Sequence, residues 1–256
     1  MQFIDTHTHL YAEEFTEDID KVIGKAIENK VDRMLLPDID SLTRPAMLQL
    51  HEKYPEICPV MIGLHPTSVK ADYTSELEKI DEIIHQYPFC GIGETGIDLY
   101  WDKTFFAEQI DSFTYQIELA LKHDLPIVIH SRKSTNEIFS ALKPFKDKGL
   151  KGVFHCFPGS VEEAAKVIEM GFYLGIGGVV TYKNSGMAEV VKQVDLKHIL
   201  LETDSPYLTP APFRGKRNDS AYIPVIAEFV ASIKGLSTEE VAEITTSNAK
   251  HLFKIS

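Results

Sequence analysis

The stretch Phe3-Ile4-Asp5-Thr6-His7-Thr8-His9 (FIDTHTH) begins as an apolar, strand-like run and ends on two histidines two positions apart. Strand alternation turns residues i and i+2 to one side, so Phe3, Asp5, His7 and His9 are expected to share a face and both imidazoles to meet one metal ion. His-x-His also occurs in packed cores, and the rest of the chain decides between the two readings. Glu94, His130, His155 and Asp204 each stand at or just past the end of a separate apolar run. A ring of parallel strands brings such positions to one mouth.

Eight short apolar runs, at residues 3–7, 33–37, 58–63, 91–94, 127–130, 152–155, 172–177 and 199–202, alternate with amphipathic segments. Apolar residues at three and four spacing predict helices over 19–29, 46–54, 76–86, 107–123, 134–142 and 161–170. After the eighth run come a Pro-rich loop at 206–212 and two further helices at 222–233 and 238–253, the last opened by Ser237 and Glu240 in capping-box spacing. Strand-helix alternation of this kind predicts an α/β fold, a single (β/α)8 TIM barrel with its active site at the C-terminal ends of the strands. An open doubly wound sheet would carry a Gly-rich phosphate loop after its first strand, where this chain has histidines. The length of 256 residues suits one such barrel, and no composition shift or linker marks a boundary, so residues 1–256 are read as one domain.

Hydrophobic residues make up 44% of the chain and charged residues 25%, which argues against disorder. Cys58, Cys90 and Cys156 are an odd, unclustered set, so reduced thiols are expected and a cysteine-type zinc site is not. The first ten residues lack a basic segment followed by a long apolar one, and nowhere do about 18 apolar residues run together. A cytoplasmic protein without membrane contact is expected, and no obligate protein partner is inferred. The formal net charge of −12 excludes a protein that grips a polyanion with a broad basic face. Nucleic acid would have to be drawn by bound cations and a local basic rim. Arg214-Gly215-Lys216-Arg217, directly after Asp204, is the clearest rim candidate, its alternative being a solvated loop.

The chemistry follows from the donor types. His7 and His9 with Glu94 and Asp204 would form one cation site, and Glu94, His130 and His155 a second, with Glu94 bridging. Nitrogen and oxygen donors without thiolate suit one or two divalent ions such as Mg, Mn or Zn. A bound ion with an open position supplies hydroxide near neutral pH, with Asp204 as ligand and proton acceptor and Glu94 as its bridging partner in catalysis. Each residue also has a structural explanation: His130 and His155 as core histidines, Glu94 as a helix N-terminal carboxylate, Asp204 as an N-cap. All would have to hold together while every residue sits at a strand end, so the metal reading is preferred. Glu202 and Asp5, one step deeper than Asp204 and His7, are expected behind the ligands, orienting imidazoles or the base. His65, in GLHP after the third run, is expected to hold substrate phosphate or the leaving group. Cys156, opposite in parity to His155, is expected to pack against helices.

Taken in order, FIDTHTHL, GETGIDLYW, PIVIHSR, GVFHCFPGS, LLETDSPYLTP, RGKRN and NAKHLF resemble the TatD family of metal-dependent deoxyribonucleases, a branch of the amidohydrolase-like barrels. The similarity covers essentially the whole chain. It implies an eight-stranded barrel, divalent metal and hydrolysis of DNA phosphodiesters, often as a 3′-to-5′ exonuclease. On matching positions it implies ligation by His7, His9, Glu94, His130, His155 and Asp204. The chain departs from the family pattern at Lys133-Ser134, where members commonly carry an acidic residue and then a small one. This makes Arg132 and Lys133 candidate phosphate contacts. Trp101, beside Tyr100 after the bridging motif, either stacks a nucleobase or packs as a lid.

The leading reading is therefore a deoxyribonuclease acting on DNA ends or single strands. Its first rival is a hydrolase of small amides, lactones or phosphoesters, because metal-activated hydroxide attacks carbon and phosphorus alike. A scaffold that merely binds metal is the third, and it leaves open positions and a carboxylate base without purpose.

Overall fold

Apolar and β-branched runs form short parallel strands, and the amphipathic segments between them form the helices that cover the strands. The structure, a computed structural model, describes residues 1–255. In chain order it contains β1 (Phe3–Asp5), α1 (Ile19–Glu28), β2 (Val31–Met34), α2 (Arg44–Lys53), α3 (Tyr73–Ile83), β3 (Ile92–Asp98), α4 (Phe106–His123), β4 (Ile127–Arg132) and α5 (Thr135–Leu142). There follow β5 (Gly152–Phe154), α6 (Val161–Glu169), β6 (Tyr173–Ile176), α7 (Met187–Gln193), β7 (Ile199–Leu201), α8 (Ile223–Lys234) and α9 (Thr238–Phe253). Capping boxes at Ser160/Glu163 and Ser237/Glu240 satisfy orphan N–H groups and fix where α6 and α9 begin.

The strands pair in parallel as β1-β2 and β3-β4-β5-β6-β7. Residues 60–62 join the two sheets through single bridges, Leu36 to Val60 and Ile62 to Ile92. A Thr8–Ser205 bridge and the bond from Thr6 N–H to Leu201 O (3.0 Å) close the other seam. The fold is thus the expected α/β barrel, but the run at 58–63 contributes bridges rather than a strand. Pro59 has no N–H to give, and the Gly63 N–H is taken by the Asp38 carboxylate at 3.3 Å.

One residue from nearly every ring member, among them Ile4, Leu35, Met61, Val128, Val153 and Leu200, meets in a single cluster with Leu252 and Phe253 of α9. Only the inside of a ring can bring them together, so these positions face inward. Phe3, Ile129 and Phe154 belong instead to the larger layer shared with the helices. Two residues beyond Val128, Val153 and Leu200, the same parity carries His130, His155 and Glu202 toward the C-terminal mouth. Among the described residues no helix is long and apolar enough to cross a membrane.

Candidate metal centre

β1 ends at Asp5, and a bend at Thr6 and His7 follows before Thr8 bridges Ser205. Continued pleating would have sent His7 outward with Phe3 and Asp5. The bend instead turns it into the mouth, where His7 Nε2 and His9 Nε2 lie 3.3 Å apart. The two histidines therefore meet, although by a bend and not by the strand alternation expected for residues 3–9. Asp5 stays outside the cluster and touches no imidazole ring. Its Oδ1 accepts the N–H groups of His7 (3.3 Å) and Thr203 (3.0 Å), and its Oδ2 accepts the Thr203 hydroxyl (2.6 Å). It fastens the end of β1 to the segment after β7. Burial, resisted by these hydrogen bonds, pushes its pKa up to about 7.

Glu94 is aimed by an irregularity in β3. From Ile92 to Thr95 the strand takes three steps while its partner β4 takes two, from Ile127 to Ile129, so one extra residue bulges beside Glu94. Beyond the bulge Gly96 pairs with His130, and a Cβ there would fall 2.1 Å from the His130 carbonyl oxygen, at a φ of +140°. Only glycine permits this approach of β4 to β3.

The Glu94 carboxylate then divides its two oxygens. Oε2 lies 3.1 Å from His7 Nε2 and 3.5 Å from His9 Nε2. Oε1 lies 2.8 Å from His130 Nδ1, 2.9 Å from His155 Nε2 and 3.2 Å from His65 Nε2. Asp204 completes the first set, with Oδ1 3.5 Å from His9 Nε2 and 3.8 Å from His7 Nε2. It is held in a left-handed conformation (φ 55°), and its N–H donates to His7 O at 2.9 Å. The His7 and His155 rings stack with centroids 3.9 Å apart, bringing the two sets together.

The outer nitrogens of His9, His130 and His65 fix their tautomers, whereas Nδ1 of His7 and of His155 has no hydrogen-bond partner among the described residues. The Tyr11 hydroxyl commits its proton to Pro37 O (2.6 Å), so it accepts from His9 Nδ1–H at 3.0 Å and leaves the Nε2 lone pair facing Glu94 and Asp204. Asp98 Oδ2 lies 2.9 Å from His130 Nε2, accepts its proton and leaves the Nδ1 lone pair facing Glu94. His65 is arranged the opposite way. Its Nδ1 accepts from Thr67 N–H (3.1 Å) and the Thr67 hydroxyl (2.6 Å), which puts the remaining proton on Nε2, aimed inward.

His9 and His130 thus turn lone pairs toward carboxylate oxygens, acceptor against acceptor, and only a proton or a cation reconciles them. Burial opposes charge on every ring. Hydrogen bonds to Asp204 and Glu94 overcome it at His9 and push its pKa up to about 9. His155 and His130 also rise against burial, through Glu94 with Glu202 and through Asp98 with Glu94 respectively. At His7 and His65 burial wins and the pKa falls. Glu94 stays ionised well below the usual carboxylate range despite its burial, because the His155, His65 and His7 rings surround it.

This donor set fits divalent cations. Groups of potential ligands lie within binding reach of one another as His7, His9 and Glu94, as His7, His155 and Asp204, and as His65, Glu94 and His130. All are nitrogen or carboxylate donors, and the outer acceptors at Tyr11 and Asp98 supply the orientation that metal-ligating imidazoles require. His65, in this tautomer, directs an N–H at Glu94 instead of a lone pair.

Glu202 accepts the Cys156 N–H through Oε1, which also lies 3.6 Å from His155 Nδ1. Gly175 makes room for it, since a Cβ there would lie 2.3 Å from Glu202 Oε2. Cys156 leaves strand geometry at φ 41°, so the parity expected for it lapses. Its N–H bonds Glu202 beside the centre, and burial with the carboxylates of Asp204, Glu202 and Glu94 raises its thiol pKa.

A basic and aromatic rim borders the mouth. The Arg132 guanidinium lies 4.0 Å from the Tyr100 ring centroid and 5.2 Å from that of Trp101, with Lys133 Nζ 5.0 Å over Tyr100. Trp101 is 67% exposed, which is too open for a packed lid. Arg214 stacks on Tyr182 at 4.3 Å, whereas Arg217 is paired with Asp18 at 2.7 Å and is not free for a ligand. Sequence reasoning passed over Asp98 and Tyr11. Asp98 could have been found by extending β3, because it shares the side of Glu94 and Gly96. Nothing in the sequence marks Tyr11 beyond its place two residues after His9.

Comparison with known proteins sets this geometry in context. The sequence model of the family described as "TatD related DNase" matches residues 4–254. The metal-dependent hydrolase YabD of Bacillus subtilis, uncharacterized, is 41% identical over 253 residues, covering 98% of this chain and 99% of the relative. A protein named 3′-5′ ssDNA/RNA exonuclease TatD, from Erwinia tasmaniensis, is 29% identical over 257 residues, covering 98% and 99%. The crystal structure of YjjV, a TatD homologue from Escherichia coli K12, matches with a TM-score of 0.93 at 27% identity, covering 99% of this chain and 98% of that one.

Proposed function

The chain belongs to the TatD related DNase family of metal-dependent hydrolases, and from that premise we propose that it is a deoxyribonuclease, one domain over residues 1–256, removing nucleotides 3′ to 5′ from DNA ends or single strands. The observation that carries this reading is the division of the Glu94 oxygens between two sets of side chains, at 3.1 Å from His7 and 2.9 Å from His155. Two cation pockets sharing a carboxylate suit the attacking and leaving sides of a phosphodiester.

In this reading His7, His9, Glu94 and Asp204 hold one divalent ion and Glu94, His130 and His155 the other, with Mg, Mn or Zn as candidates. Bound ions would supply a water of near-neutral pKa and neutralise charge at the phosphate. Asp204, ionised and at the edge of the mouth, accepts the proton released as water attacks. His65 presents Nε2–H to a phosphate oxygen or the leaving oxygen. Arg132 and Arg214 meet flanking phosphates, and Trp101 offers its exposed face to a base. The Erwinia relative's name supports single-stranded nucleic acid as the substrate class.

The test is digestion of single- and double-stranded DNA, labelled at either end, by metal-reconstituted protein beside a panel of small amides, lactones and phosphoesters, with His155→Ala as control. Stepwise shortening from the 3′ end is expected. Turnover of the small substrates with intact DNA would replace the proposal by the small-molecule reading.

A further inference from the structure

Asp98 is buried at 1% exposure, and its two carboxylate oxygens face two different structures. Oδ2 accepts from His130 Nε2 at 2.9 Å. Oδ1 accepts the N–H groups of Tyr100 (2.8 Å) and Trp101 (3.1 Å), the residues that carry the aromatic rim. The loop has further ties where it leaves β3: Leu99 N–H donates to Arg132 O at 3.0 Å, and Asp98 N–H donates to Gln109 Oε1 at 2.9 Å. Arg132, stacked on Tyr100, follows His130 on β4 by two residues. One carboxylate is therefore the shared anchor of a candidate metal-facing imidazole and the candidate substrate-facing loop.

We propose that Asp98 is a positioning residue that couples the two, holding His130 with its Nδ1 lone pair toward Glu94 while setting the Tyr100–Trp101 rim, so that filling the centre adjusts the rim. The physical reason is that both partners require an acceptor. A carboxylate has an oxygen for each, Oδ2 for His130 and Oδ1 for the two N–H groups. An amide cannot serve both. If its NH2 faces His130, Nε2 must become the acceptor, and the proton moves to Nδ1 and removes the lone pair. If its oxygen faces His130, the N–H groups of Tyr100 and Trp101 meet a donor. This inference rests on the metal-centre reading above and adds the link from centre to rim.

The chain has a single tryptophan, so its emission reports Trp101 alone. The experiment compares the wild-type protein with Asp98→Asn, using Co2+ for its visible absorption band and Zn2+ for the emission titration. In the wild type, Zn2+ is expected to shift the emission with the same midpoint as binding measured by calorimetry, and Trp101→Phe removes the signal. In Asp98→Asn, Co2+ is expected to bind about 10–100-fold more weakly, with an altered visible band, and saturating Zn2+ to leave the emission unshifted. A variant that melts at a lower temperature but keeps the wild-type Co2+ band, affinity and emission response would overturn the coupling and leave a structural role alone. Should the variant fail to fold, the wild-type titration still decides: calorimetric binding of Zn2+ with no change in emission overturns the inference. Failure of the wild type to bind either ion would overturn the metal-centre reading itself, a result distinguishable from both.

Discussion

His9 Nδ1 lies 3.0 Å from a Tyr11 hydroxyl whose own proton is committed to the Pro37 carbonyl at 2.6 Å. The hydroxyl can only accept, so it fixes the His9 tautomer from outside the centre. Tyr11→Phe removes one oxygen atom and leaves the ring packing in place. Metal affinity is expected to fall about tenfold with little change in melting temperature. Calorimetric titration with Mn2+ measures this, and unchanged affinity would show that the hydrogen bond does not orient the ligand.

Glu94 and Asp204 are both ionised, but they have different expected roles and so different expected defects. Glu94→Gln replaces the carboxylate whose two oxygens are divided between the sets, and bound metal measured by elemental analysis is expected to drop together with activity. Asp204→Asn keeps the Glu94, His130 and His155 set intact. It is expected to retain metal there while turnover falls by about 10²–10⁴, the usual worth of a general base. Full metal loading in Glu94→Gln would refute the shared-carboxylate arrangement.

The dependence on pH follows from His9. Hydrogen bonds to Asp204 and Glu94 overcome burial and raise its pKa to about 9, and an imidazolium cannot bind a cation. Below that pH, binding must expel a proton. Apparent metal affinity is therefore expected to rise with pH up to at least about 9, by roughly tenfold per unit for each proton released, with the raised His130 and His155 adding in the same direction. Titrations in buffers of different ionisation enthalpy count the protons, and zero release at neutral pH would contradict the assignment.

Much of this was legible because periodicity and motif spacing are properties of the chain itself. Parity carried from Val128 to His130 and from Val153 to His155 places those imidazoles correctly in the mouth. It misleads where the backbone leaves the pleat, at the bend after Asp5 and at the left-handed Cys156. The bend separated Asp5 from the imidazoles it was expected to orient, leaving it to bind Thr203. Tyr11 and Asp98 were missed because their importance lies in which nitrogen of a distant ring they meet, and no spacing rule encodes that. The short helix α7 and the bridge-only segment at 60–62 escaped for the related reason that tertiary hydrogen bonding determines their extent.

Trp101 is open to solvent beside the Arg132 guanidinium, and a base stacked on it would gain roughly 1–3 kcal/mol. Trp101→Ala is expected to lower kcat/KM for single-stranded DNA about tenfold while sparing a small phosphodiester, which has no base to stack. Parallel kinetics on the two substrates measure the difference. Equal losses on both would assign the residue to the architecture of the loop.

In the proposed function, nitrogen and carboxylate donors gathered on Glu94 hold divalent ions that power cleavage of DNA. Its most direct measurement is the digestion of 5′-labelled single-stranded DNA by chelator-treated protein, before and after adding back Mn2+ or Mg2+, with Glu94→Gln alongside. Intact DNA is expected in chelator, a ladder of products shortening from the 3′ end once the ion returns, and little or none from the variant. Undiminished cleavage in excess chelator, or equal cleavage by Glu94→Gln, would contradict it.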